Sequence, residues 1–494
     1  MSDFRQTALR GAGLAAIAAM LGACALGPDF VRPEPPSTDH YTRETLPAAT
    51  AVVDGAAQQF DPDAELSADW WRLFKSQQLD AIVQQAIADN PTLQASEASL
   101  RQSQDNLRAG YGVFFPKIGA DASATRQHTS PAEEGPRTTS STFNLITLSG
   151  SITYPLDVFG GERRAVEGLR AQAYEQYYES KAAYLTLSAN VVDTCIARAA
   201  YAAEVRATQE LVALELQQLQ LAEAQVNAGT APYSSVLSVR SLIAGNEALL
   251  APLRQKVGEA DDLLAMLEGI VPAKAEPPDI DLAGLTLPTD LPISLPSDLV
   301  RQRPDILSAE EVLHAASANI GVATAAMFPS FSLNATYGGA GSSLGLLPAA
   351  AGRFWSIGPS ATIPLFQGGS LWYARKAAID AFQGAQANYR QTVLAAFAQV
   401  ADSLKALEHD ADGLKAQDEA QRAAGESLSL VQANYRAGLV AFPDVLTADV
   451  QFHEATIGYV QAVAQRHQDT VALFVALGGG WWNTRGLAGG GGAP

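Results

Sequence analysis

Along residues 331–337 apolar Phe331, Leu333, Ala335 and Tyr337 alternate with Ser332, Asn334 and Thr336. A period of two predicts a β-strand with one apolar and one polar face. Ile146, Leu148, Ile152 and Tyr154 alternate in the same way with Thr147, Ser149, Ser151 and Thr153, as do Trp355, Ile357, Ala361 and Ile363 with Ser356, Ser360 and Thr362. Apolar outside and polar inside is what a membrane barrel with a wet lumen requires. A different period governs the longer segments. Val393, Phe397, Val400, Leu404, Leu407 and Leu414 are spaced 4, 3, 4, 3 and 7 apart, a heptad seam within the proline-free run 370–437. Residues 161–228 also lack proline, and at about 1.5 Å per residue each run predicts a helix of about 100 Å.

These patterns occur twice. Asn90-Pro91-Thr92 with Glu97 is echoed by Arg303-Pro304-Asp305 with Glu310, and Phe115-Pro116 by Phe328-Pro329, at an offset of 213. Tyr154-Pro155-Leu156 is echoed by Ile363-Pro364-Leu365, and Ala228-Gly229 by Ala437-Gly438, at an offset of 209. The change of four falls between Pro116 and Pro155, where a surface loop is expected to absorb it. Each half predicts helix, strand, strand, long helix, turn, helix, with a first repeat over 67–270, a linker over 271–297 and a second repeat over 298–482. Four strands cannot close a membrane barrel, which needs about eight or more, and open strand edges are not tolerated in lipid. The chain is therefore expected to oligomerise. A trimer would supply twelve strands, whereas a dimer's eight would leave little room for a pore.

Composition narrows the partners. A formal charge of -19 argues against nucleic acid and anionic lipid surfaces, and favours cations or basic surfaces. Apart from the first 26 residues, no stretch reads as a membrane helix, so strands are expected to make any mature span. Arg5 and Arg10 precede the small, apolar run from Gly11 to Leu21, the order of a secretory signal. Leu21-Gly22-Ala23-Cys24 then resembles a bacterial lipobox, which predicts removal of residues 1–23 and a diacylglycerol and N-acyl chain on Cys24. Each buried CH₂ of such chains contributes ~0.8 kcal/mol of anchoring. Ala25 stands where an Asp would resemble an inner-membrane retention signal, so outer-membrane delivery is expected. Residues 24–66, with the Pro-rich run Pro28 to Pro36, predict an extended tether, and 483–494 a disordered Gly-rich tail. Cys24 and Cys195 sit in contexts too different for a disulfide, and Cys195 reads as a small buried hydrophobe. No metal cluster, phosphate loop, nucleophile elbow or acid–base constellation stands out, so neither an enzyme nor a cofactor beyond the lipid is expected.

An ordered set of motifs then points to a family. Gly27-Pro28-Asp29-Phe30, Trp70-Trp71-Arg72-Leu73-Phe74, Arg303-Pro304-Asp305-Ile306 leading into Ala309-Glu310, Phe328-Pro329, Pro364-Leu365-Phe366 before Gly368-Gly369, and Ala476-Leu477-Gly478-Gly479-Gly480-Trp481 span residues 24 to 482. In these the chain resembles the TolC-like outer-membrane efflux channels, specifically the lipoprotein branch called the NodT or OprM family. The resemblance implies an α+β membrane protein: a trimeric twelve-stranded outer-membrane β-barrel continued by a periplasmic twelve-helix α-barrel. An equatorial region would take in residues 61–75, 271–296 and the C-terminal segment, with 24–60 wrapped around it.

The implied function is a passive outer-membrane duct in a tripartite efflux pump, working with a periplasmic adaptor and an inner-membrane pump of RND type. The turns at Gly229, Thr230, Gly438 and Leu439, which also read as ordinary helix stops, would meet the adaptor. Asp444, after Phe442-Pro443, reads either as a helix N-terminal cap or as one member of an acidic ring narrowing the closed pore. Tyr435 matches a gate tyrosine of the family, but Val440 and Thr447 replace the arginine and second acid of that network, so a charged latch is not expected. Arg163 and Arg164 would lie just below the membrane, near headgroups or at a solvated helix start. Two other readings fit the same pattern: the exit duct of a protein-secretion system, and a structural periplasmic lipoprotein without a pore.

Overall fold

The computed structural model describes residues 25–38, 40–44, 47–53, 57–61, 64–130, 140–293 and 296–483. The signal peptide, Cys24 and the tail beyond Asn483 lie outside the described residues. The first half runs β1 (Gln59–Asp61), α1 (Gln77–Asp89), α2 (Pro91–Gly110), β2 (Lys117–Thr129), β3 (Ser141–Leu156), α3 (Gly161–Asn227) and α4 (Tyr233–Leu267). The second runs β4 (Asp290–Pro292), α5 (Pro296–Gln302), α6 (Pro304–Ala325), β5 (Ser330–Gly341), β6 (Arg353–Thr362), α7 (Ser370–Arg436) and α8 (Phe442–Ala476). The helix–strand–strand–helix–helix order expected of each repeat is present in both.

Four strands form one antiparallel sheet in the order β2-β3-β5-β6, so β2 and β6 are its open edges. Its register turns the alternation of single strands into continuous rows. Ile118, Ile152, Ala335 and Ile357 lie side by side, as do Ala120, Gly150, Tyr337 and Trp355. The intervening row on the opposite face is Gly119, Ser151, Thr336 and Ser356. A slip of one residue in any pair would mix the two faces. The four-residue change between repeats is not in a loop, as expected from sequence. The β2–β3 and β5–β6 connections are equal in length, and the extra residues lengthen β2 and β3 beyond the edge of β5. Added rungs of a hairpin keep its ladder intact, so an even insertion is absorbed without disturbing the faces.

Both α3 and α7 contain 67 residues, a length of about 100 Å. The heptad seam of α7 is its buried stripe: Val393, Val400, Leu404, Leu407 and Leu414 are buried, with Phe397 packed against them. The shorter helices meet end to end. At the first joint Asn90 closes α1, accepts the N–H groups of Thr92 and Leu93 at the start of α2, and donates Nδ2 to the Leu267 carbonyl at the end of α4, 2.8 Å away. At the equivalent joint Arg303 precedes α6 and donates Nη1 to the Ala476 carbonyl at the end of α8, 2.9 Å away. One side chain thus satisfies a C-terminal carbonyl that the helix itself leaves unpaired. The duplicated Asn-Pro and Arg-Pro pairs noted in the sequence are these joints.

Around the joints lies the main core, where Trp70, Trp71 and Phe74 are buried with Phe474, Ile196, Leu299 and Ile306. Parallel β1 and β4 and the turn after α8, whose Trp481 donates Nε1 to the Gln302 carbonyl at 2.7 Å, complete this mixed belt. α4 is long and apolar enough to cross a membrane by length and composition alone, contrary to the expectation that no such stretch exists. One stripe of it, with Val236, Val239 and Ile243, packs along α3, where Arg240 pairs with Glu223 at 2.7 Å, while Leu237 and Leu249 stay exposed.

Candidate functional site

The end of the helices farthest from the sheet is made by two matched turns. Gly229 (φ 75°) follows α3 and Gly438 (φ 76°) follows α7, both in the left-handed region that side chains disfavour. Gly229 donates to the Val226 carbonyl and Thr230 to that of Gln225; Gly438 donates to Tyr435 and Leu439 to Asn434, all at 2.9–3.0 Å. This is the Schellman arrangement, so the helix-stop reading holds at both tips. Nothing approaches a side chain built on either glycine, and Leu439 is 74% exposed, leaving the four tip residues a free surface.

Asp444 sits in the first turn of α8. Its Oδ2 accepts the Ala441 N–H at 2.9 Å, half of a capping box, while the side chain stays exposed. The capping reading is therefore realised within one chain. Tyr435 does not stand alone at the tip. Its hydroxyl donates to Gln225 Oε1 of the other hairpin at 2.7 Å, and its ring packs 5.4 Å from Phe442 in a small cluster with Val236, Val239 and Ile243. Around Tyr435 the two hairpins meet through this hydrogen bond and through apolar side chains.

At the other end the N-terminal segment crosses the junction of sheet and helices. Leu26 donates its N–H to the Phe159 carbonyl at 3.0 Å, and Gly27 lies so close to Gly321 that a Cβ on it would stand 2.4 Å from the Gly321 Cα. Arg164 is 5% exposed and holds Asp29 at 2.6 Å, Glu167 at 2.8 Å and the Leu26 carbonyl at 3.3 Å. It clasps the N-terminal segment, in place of the headgroup or solvent role expected for it. Arg163 completes the helix start with Asp157, whose carboxylate also accepts the N–H groups of residues 162 and 163. Phe30 stacks on His314 with centroids 4.4 Å apart, and Arg32 meets Glu310 at 2.6 Å. The Gly-Pro-Asp-Phe motif is thus a docking strip, legible as a motif but not as a contact. Cys195 is buried and its thiol is pushed up to about 12 by burial, as a small core hydrophobe would be. Among the described residues no group of His, Cys, Asp and Glu side chains is arranged to hold a metal ion.

A sheet with one apolar face, helices of about 100 Å leading away from it and two bare tips define a membrane channel with a long aqueous extension. The outer membrane efflux protein family matches residues 82–269 and 295–479, one stretch in each repeat, and the chain belongs to that family. It is an outer-membrane channel of the TolC-like class, the exit component of a tripartite efflux pump, with its helices in the periplasm. It is similar to the toluene efflux pump outer membrane protein TtgC of Pseudomonas putida, 29% identical over 96% of each chain. It is also similar to the cation efflux system protein CusC of Escherichia coli, 25% identical over 94% of this chain and 97% of that one. Among solved structures, the outer-membrane channel OprN superposes with a TM-score of 0.82 at 26% identity, over 93% of this chain and 100% of that one.

Proposed function

We propose that three copies close a single duct, a twelve-stranded barrel continued by twelve helical columns and gated at the periplasmic tip. The observation that carries this reading is the register: the rows of Ile118 and of Ala120 run apolar across all four strands and stop at the open edges β2 and β6. Lipid leaves no water to satisfy those edges, so β6 of one copy pairs with β2 of the next. Each chain supplies four columns: α3, α7, and the end-joined pairs α2–α4 and α6–α8. The duct does no chemistry of its own. A periplasmic adaptor engages Gly229, Thr230, Gly438 and Leu439, and an inner-membrane pump of RND type selects the cargo. The spread of relatives from a toluene pump to a cation system supports a duct that does not choose its substrate.

Within the assembly Asp444 keeps its capping bond and contributes one carboxylate per copy to a ring around the axis, while Tyr435 ties the hairpins together. Rings of carboxylates favour cations. Reconstituted trimers in planar bilayers are expected to pass cation-selective currents, and Asp444→Asn to lower that selectivity while currents persist. Unchanged selectivity would remove the ring, and absence of any current would remove the duct.

The same reading places acyl chains on Cys24. Ala25, the first described residue, packs on Gly160, between the end of β3 and the start of α3, at the level where the sheet gives way to helices. Cys24→Ala is expected to lose the mass of the lipid yet stay in the membrane, because the strands span it. An envelope-purified wild type with no added mass would overturn the acylation.

A further inference from the structure

The seam between α3 and α8 holds carboxyl groups in an unusual place. Asp193, Glu204 and Glu215 recur on α3 at intervals of 11 residues, which returns to nearly the same face of a helix every ~16 Å. Antiparallel α8 presents Asp469, Gln461 and Asp449 in the matching order. The charge of Asp193 bears on Asp469, Gln461 donates to Glu204 at 3.2 Å, and the charge of Asp449 bears on Glu215. Glu215 and Asp449 are both 0% exposed. The oxygens of Asp449 have no well-formed hydrogen bond among the described residues beyond a weak approach of the Gln218 side chain, and one oxygen each of Asp193, Glu215 and Asp469 is also unpaired.

The surroundings supply no counter-charge. Glu215 accepts from Asn246 of α4 at 2.6 Å, Gln218 of α3 lies beside Asp449, and Gln465 of α8 donates to Asp469 at 2.9 Å. From α7 comes another acid, Asp410, against Asp469. His453, one turn beyond Asp449, is shifted by burial toward its neutral form, and Arg198 of α3 is taken by Asp261 of α4 at 2.7 Å. No cation pairs with Asp193, Glu215, Asp449 or Asp469 among the described residues. The repeat does not require the whole column: Asp402 matches Asp193, but Ala424 and Gly413 occupy the positions equivalent to Glu215 and Glu204, and Arg240 that of Asp449.

We propose that this column is a proton-operated latch between the two hairpins: protonated carboxyls let α3 and α8 lie together, and ionised ones drive them apart. Burial, with no nearby cation, pushes Asp193 and Glu215 up to about 7 and Asp449 to about 6, and Asp469 is raised by burial and by Asp410. These four carboxyls are raised in the packed seam relative to their ordinary value near 4, so the packed form holds more protons between those limits. Its stability is full below that ordinary value and falls as pH rises through the raised values. Acidification of the periplasm therefore tightens the seam, and a neutral or alkaline medium loosens it toward the tip.

The latch concerns the position of the hairpins, so its test does not depend on conductance. Spin labels on Thr230→Cys and Leu439→Cys, in labelled chains diluted with unlabelled ones, report the distance between the two tips of one chain. Native Cys195 is too buried to compete. In wild type the distance is expected to lengthen between about pH 5 and about pH 8.5. In Glu215→Gln/Asp449→Asn, which neutralises the level nearest the tip and leaves Asp193 and Asp469, the lengthening should fall to less than half of the wild-type change, and Asp444→Asn should keep the full wild-type response. A wild-type distance that ignores pH, or a double variant that responds as fully as wild type, overturns the latch. So does loss of the response in Asp444→Asn, which would assign it to the ring. If the first double variant fails to assemble, Asp193→Asn/Asp469→Asn provides the same comparison at the other end of the column.

Discussion

Arg303→Ala is expected to lower the thermal stability of the helical signal by about 2 to 3 kcal/mol, the upper part of the range for leaving buried polar partners without their donor. Arg303 is only 7% exposed and is bound on several sides at once. Its guanidinium holds Asp305 through Nε at 2.8 Å and Nη2 at 2.9 Å, donates to the Ala476 carbonyl at 2.9 Å and meets the Gln399 side chain. Truncation strands a helix-end carbonyl in the belt where α6, α7 and α8 meet and leaves the part-exposed Asp305 carboxylate to solvent and the Ile306 N–H. Asn90→Ala at the sister joint should be milder, about 1 to 2 kcal/mol, because a neutral amide and one cap are lost there. Arg303→Lys should recover only part of the loss, since an ammonium cannot span the planar fork. Melting by circular dichroism in detergent measures all three. Equal losses at Arg303 and Asn90 would show that the charge-bearing joint carries no special share of stability.

Gly27→Val is expected to release the N-terminal strip from the body of the protein. At φ 97° a β-branched residue is strained by ~1–3 kcal/mol, and its Cβ would meet the Gly321 backbone, which cannot give way as a flexible side chain could. The strip has a cheaper way out than unfolding the core: it lifts away, exposing Arg164 and separating Phe30 from His314. Hydrogen exchange in residues 25–35 should then approach that of a free chain, while the seam of α7 keeps its protection. Continued protection of the strip would mean that the close approach of Gly27 and Gly321 is not what seats it. Arg164→Ala, which leaves the glycines alone, should loosen the strip more gently.

The strip shows how far motif reading reaches. Gly27, Asp29 and Phe30 were visible as a group, yet their partners Gly321, Arg164 and His314 lie more than a hundred residues away, where no periodicity could indicate them. Arg164 reads in the sequence as headgroup-facing or solvated, because an arginine at a helix start is so unless a distant segment covers it, as residues 26–29 do here. Asp444 carried two meanings in the sequence, and the single chain resolves one of them: the carboxylate caps α8. Glu215 and Asp449 passed unnoticed although their spacing signal was present. An acid every 11 residues looks like any solvated helix face until another helix is laid over it.

The sequence by itself determined the two strand pairs, the two helices of about 100 Å, the heptad stripe of α7, the turns at Gly229 and Gly438, and the duplication that relates the halves. All of these follow from rules that act over a few residues, such as the alternation of a strand, the turn of a helix and the conformational freedom of glycine, or from direct self-comparison of the chain. Only the tertiary structure decided that the insertion lengthens a hairpin, that Asn90 and Arg303 join separate helices into columns, and that the acids of α3 face α8 without a counter-ion. Those outcomes depend on which distant surfaces meet and exclude water. A residue's neighbours in sequence do not set that, and burial changes what a charged side chain does.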